Sequence, residues 1–91
     1  MNRIETRTFS STIQSEEGFI FIAIPFAPRD VWGSQPRYPV TGAINGYPVH
    51  GTLGALRKDY FLRLSKKWLN ANQIEVGSEV VVELGLDVKN A

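Results

Sequence analysis

An all-β domain built from antiparallel hairpins is what this sequence predicts, and three observations carry the prediction. Residues 40–53 form two strand-like runs joined by Asn45-Gly46, the strongest local signal for a two-residue hairpin. Short apolar or alternating runs recur at residues 19–24, 60–64 and 79–86, each bounded by Gly, Pro, Ser or Asp. No alternation of strands with long helices is present, so nothing builds a parallel sheet.

Taken in order, residues 7–14 alternate weakly, with Phe9 and Ile13 on one face (Ser11 between them) and Thr8, Ser10 and Thr12 on the other. This reads as a strand with one wet face. Ser15-Glu16-Glu17-Gly18 is a polar turn. Residues 19–24 (Phe-Ile-Phe-Ile-Ala-Ile) are apolar on both faces. A strand of that kind needs cover on both sides, from its own chain or from a second copy, so a homodimer is an expected arrangement.

Pro25 ends that strand, and residues 28–33 read as one helical turn with Pro28 at its start and Gly33 at its end. Residues 34–37 are loop, and Pro39 opens the central hairpin. A type I′ turn at Asn45-Gly46 needs positive φ at both residues, which Asn and Gly tolerate. Ile44 then faces Tyr47, Gly42 faces Val49 and Thr41 faces His50. In this register Pro48 sits at a non-hydrogen-bonded pair, so its missing N–H points outward and the far side of its strand is unpaired.

Residues 54–59 read as a connection turning at Gly54, and residues 60–64 as a strand with Tyr60, Leu62 and Leu64 on one face. Ser65 is a good N-cap for a short helix over residues 66–72, with Leu64 and Leu69 at the spacing of a hydrophobic staple and Asn72 at the exit. Gly77-Ser78 turns the chain into the last strand, residues 79–86, where Val80, Val82, Leu84 and Leu86 share a face. The sum is a small six-stranded antiparallel β-barrel with one or two short helices, a two-layer sandwich being the alternative. Residues 1–91 read as one domain.

Ninety-one residues are enough for one modest core without a metal or disulfide. With no cysteine, disulfides, thiolate nucleophiles and Cys-based zinc sites are excluded. A net charge of +1 provides no global field toward nucleic acid or membrane. Residues 1–6 lack the apolar core of a signal peptide, and the apolar run 19–26 is too short to span a bilayer. A cytoplasmic location is the expectation.

The run Pro39-Val40-Thr41-Gly42-Ala43-Ile44-Asn45-Gly46-Tyr47-Pro48-Val49, followed by Leu53, resembles the central motif of the bacterial family called domain of unknown function 1905. Ile24-Pro25 before it, and Leu64-Ser65-Lys66-Lys67 and Val76-Gly77-Ser78-Glu79-Val80 after it, stand at further places of that pattern. The likeness covers residues 6–87. Ser78 stands where the family usually has Asp, and the Gly-rich segment after Leu53 is reduced to Gly54. The resemblance implies a small six-stranded β-barrel, sometimes fused to a helical domain linked to bacteriocin protection. It transfers no activity and no catalytic residues.

Candidate residues fall into three sets. His50 is the single histidine, and a hydrolase-type enzyme using it needs a hydrogen-bonded partner. Its predicted neighbour Thr41 is at most a weak nucleophile, and no orienting carboxylate is close in sequence. No cofactor motif and no metal-ligand spacing appear. Glu79 and Glu83, four apart on a strand, stand roughly 13 Å apart, too far for a retaining or inverting glycosidase pair. The second set is basic: Arg57, Lys58, Arg63, Lys66 and Lys67, interleaved with Tyr60 and Trp68, the general recipe for single-stranded nucleic acid. The third is an interaction patch of Trp32, Tyr38, Tyr47 and His50, formed by the 28–38 loop and one mouth of the barrel. A non-enzymatic module binding a protein or small molecule through that patch is the leading expectation. A nucleic-acid-associated protein is second, and an enzyme third.

Overall fold

The computed structural model describes residues 5–56 and 59–87. Its strands are β1 (Thr6–Thr12), β2 (Gln14–Glu16), β3 (Phe19–Ile24), β4 (Pro39–Ile44), β5 (Tyr47–Thr52), β6 (Gly54–Leu56), β7 (Asp59–Leu64) and β8 (Glu79–Leu86). The helices are α1 (Pro28–Trp32) and α2 (Lys66–Ala71). Two antiparallel four-stranded sheets result, one in the order β1-β8-β4-β5 and the other β2-β3-β7-β6.

The chain is mainly β, as its patterning predicts, but the closed six-stranded barrel is corrected: the described residues form eight strands in two sheets, with no closed barrel among them. The reason lies at two residues. The first predicted strand bends at Ile13 and passes from one sheet to the other. The second hairpin strand does the same at Leu53 and continues as β6, where sequence reasoning expected a connection. Ile13 donates its N–H to the Ser78 carbonyl at 2.9 Å and accepts from the Gly77 N–H at 2.8 Å, so its peptide leaves both ladders. Leu53 donates to the Tyr38 carbonyl at 3.0 Å. Both side chains turn inward and are buried, which is how a strand switches sheets at a sandwich corner.

Period-two alternation explains the core. Val80, Val82 and Leu84 of β8, Val40 and Ile44 of β4, Ile22 and Ile24 of β3, and Leu62 and Leu64 of β7 face one another between the sheets. Val81, between two buried valines, is 55% exposed on the outer face.

The hairpin register is the predicted one, with Asn45 at φ 52° and Gly46 at φ 86°. Asn45 does more than turn the chain. Its N–H donates to the Val81 carbonyl and its Oδ1 accepts the Val81 N–H, both at 2.8 Å, which extends the β4–β8 ladder into the turn. The outer side of β5 is a sheet edge, as Pro48 requires.

One end of the sandwich is plugged by a row of rings. Phe9, Phe26, Trp32, Tyr38 and Tyr60 follow one another at centroid spacings of 5.7, 5.5, 6.4 and 6.1 Å, mostly edge to face. α1 starts at Pro28 and stops at Gly33, as predicted. At α2, the Ser65 hydroxyl accepts the Trp68 N–H at 3.0 Å, and Leu64 and Leu69 are buried at the staple positions. Asn72 holds the exit by donating its side-chain amide to the Trp68 carbonyl at 2.9 Å, while Gln73 takes the left-handed conformation at φ 56°. Removing the cap in Ser65→Ala is expected to lower stability by about 1 kcal/mol. A shift in the urea unfolding midpoint with an unchanged slope is the readout.

Candidate functional site

The corner at Leu53 decides where a site forms. Beyond it β5 and β6 belong to different sheets, so β5 runs beside the end of β7 without pairing to it. α2 lies across this opening. The result is a groove of about 400 Å³ lined by Pro48 and His50 of β5, Arg63 and Leu64 of β7, and Ser65 and Trp68 of the α2 region. Trp68 fastens the helix to the sheet edge: its Nε1–H donates to the Pro48 carbonyl at 2.8 Å. The hairpin parity that turns Pro48 outward makes that carbonyl available. Two residues on, the same parity turns the His50 N–H and C=O toward the open edge.

Charge at the groove is positive. Arg63 lies with its Cζ 4.4 Å from the centroid of the Phe19 ring, a cation–π arrangement. Lys66 and Lys67 are exposed at the start of α2. Among the described residues the one ion pair joins Arg7 to Glu5, so Arg63, Lys66 and Lys67 have no carboxylate partner there. A second depression, beside the hairpin turn and lined by Thr8, Ala43, Asn45, Val81 and Glu83, has Glu83 as its charged group. It offers less chemistry than the groove.

The predicted residues divide differently from their sequence grouping. Tyr38 is 6% exposed and donates its hydroxyl to the Gly33 carbonyl at 2.8 Å while accepting the Gln35 N–H at 3.3 Å, so it organises the loop. Trp32 is half-buried between Phe26 and Tyr38, and its Nε1–H donates to the Glu5 carbonyl at 2.7 Å. Both serve the plug at the far end. Tyr47 and His50 are exposed but lie on opposite faces of β5. The four residues of the expected patch therefore form no single surface.

In the basic set, Arg63 lines the groove, Lys66 and Lys67 are exposed on the first turn of α2, and Arg57 and Lys58 lie outside the described residues. Tyr60 belongs to the aromatic row. The structure joins one member of each set, His50 and Arg63, across the groove. Sequence reasoning missed Ser65 and Trp68 as lining residues of a groove, having read one as a cap and the other as an aromatic interleaved with the basic set. Nothing local to them signals the groove, which depends on the corner at Leu53.

For acid–base chemistry His50 has Thr41 opposite it, as predicted, and no described carboxylate hydrogen-bonds its ring. Among the described residues no three of His, Asp and Glu gather where they could hold a metal ion. No described helix is long and apolar enough to cross a membrane.

Fold and site thus define a small, mainly β domain of two antiparallel sheets with a basic groove at one corner. The family described as Domain of unknown function (DUF1905) matches residues 9–84, and the chain belongs to that family. No curated protein matches the chain.

Proposed function

We propose that the domain is a non-enzymatic binding module that receives an acidic segment of a partner protein in the groove between β5, β7 and α2. The observation that carries this reading is a groove lined by Arg63, His50 and Ser65, with Lys66 and Lys67 exposed in the chain between its lining residues Ser65 and Trp68 and none of the three cations paired to a described carboxylate. Unpaired cations around a concave surface favour an anionic ligand through steering and charge-assisted hydrogen bonds.

Single-stranded nucleic acid is also anionic, but it draws much of its affinity from bases stacked on free aromatic faces. Here Tyr60 is engaged edge to face with Tyr38, and the Trp68 indole is tied to the Pro48 carbonyl. Those constraints favour a polypeptide.

The test is an amide NMR titration with an aspartate- and glutamate-rich peptide, and separately with a mixed-sequence DNA oligonucleotide, at low and physiological salt. The peptide is expected to shift His50, Arg63 and residues 65–68. Combined Arg63→Ala, Lys66→Ala and Lys67→Ala is expected to weaken peptide binding about tenfold or more, from three modest charge contacts. Tighter binding of the oligonucleotide, with a steep salt dependence, would overturn the polypeptide reading in favour of phosphate contacts. Silence of the groove toward both ligands would overturn the anion-binding reading altogether.

A further inference from the structure

We infer that the outer face of the β2-β3-β7-β6 sheet packs against the same face of a second copy of this chain. The starting point is β3, whose six residues are apolar on both faces. Ile22 and Ile24 are buried in the core, while alternation sends Phe19, Phe21 and Ala23 outward. Neither helix covers them, since α1 joins the aromatic row and α2 lies over the groove. Phe19 remains 49% exposed.

Phe21 stands edge to face with Phe61 of β7 at 5.8 Å, and the Phe61 ring lies against Gly54, where a Cβ would collide with it. The outer face thus carries an apolar centre of Phe19, Phe21, Ala23 and Phe61, held by ring packing over a glycine.

The flanks of this centre identify the partner. Register places Gln14 and Glu16 of β2 beside Phe21 and Phe19, and Arg63 of β7 on the other side of Phe21. One edge of the patch is therefore acidic and polar, and the opposite edge is cationic. A two-fold axis parallel to β3 stacks β3 on β3 and brings each β7 over the other copy's β2. Each Arg63 then reaches toward the Glu16 of the other copy, forming two identical pairs around a shared aromatic centre. Self-complementarity of this kind is what an isologous contact requires. Arg63 also lines the proposed groove, whereas Phe19 and Glu16 do not, so changes in association at those two residues report on this face alone.

Sedimentation or light scattering across about 1 to 500 μM is the experiment, a range that brackets weak and standard dimers. The wild type is expected to dimerise within it. Phe19→Ser is expected to weaken the dimer about tenfold or more by removing an aromatic from its centre. Glu16→Arg and Arg63→Glu should each weaken it as well, and the combined swap should restore it. A chain that stays monomeric throughout the range overturns the inference. So does a dimer that Phe19→Ser leaves intact, or a swap that fails to recover association.

Discussion

Replacing Gly42 with alanine is expected to remove about 4 kcal/mol or more of stability, enough to unfold much of a domain this size. Gly42 lies in β4, opposite Val49 on one side and Leu84 on the other. A Cβ built there falls on the carbonyl oxygen of Glu83, 2.8 Å from that carbonyl's carbon and 3.1 Å from the Leu84 Cα. All three obstacles are backbone atoms of a central strand. No rotamer change can relieve the collision, and moving β8 away would break ladders with β1 and β4 together. Gly46→Ala is the informative comparison. Its φ is 86° but a Cβ there meets nothing within 4 Å, so only backbone strain of about 1 kcal/mol applies. Urea unfolding of the two variants should rank them clearly. Equal midpoints would show that β4 and β8 do not approach as closely as described.

The second large effect is expected at Ile13, where Ile13→Ala should cost about 3 kcal/mol. Its side chain is 1% exposed and fills the corner where the first strand leaves one sheet for the other. Truncation opens a cavity at the place where the two sheets must stay in register. Because its backbone N–H and C=O are hydrogen-bonded to Ser78 and Gly77, the backbone cannot readily collapse into the space. Ile13→Val, which removes one methylene, should cost about 1 kcal/mol. Thermal and urea unfolding of the pair measures both. A cost at Ile13→Ala no larger than that of Ile13→Val would mean the corner repacks freely.

Neither Gly42 nor Ile13 lines the groove. Its walls are a β5 edge held by the hairpin and a β7–α2 corner held by the capped helix. Substitutions at Lys66 and Lys67 are therefore expected to change binding while leaving the unfolding midpoint nearly unchanged, since exposed charges contribute little to stability.

How much was legible in the sequence follows the range of the interactions involved. Asn45-Gly46 specifies its own hairpin because the φ values are a property of those two residues, and the register of β4 and β5 follows from the two-residue loop. Ser65 announces a cap, Pro28 a helix start, and Pro48 an open strand edge, each through a donor or dihedral carried locally. The β3 pattern marks an outer apolar face for the same reason, since alternation is local. By itself, then, the sequence determined the class of fold, six of the strand positions, both helices, the central register and the family. Tertiary structure alone decided that strands bend across two sheets at Ile13 and Leu53. It likewise turned Trp32 and Tyr38 into a plug and brought His50 of β5 beside Arg63 of β7. The physical reason is that a corner forms where inward packing of one residue outweighs a continuous ladder. That balance depends on partners distant in sequence, such as Ser78 for Ile13 and Tyr38 for Leu53.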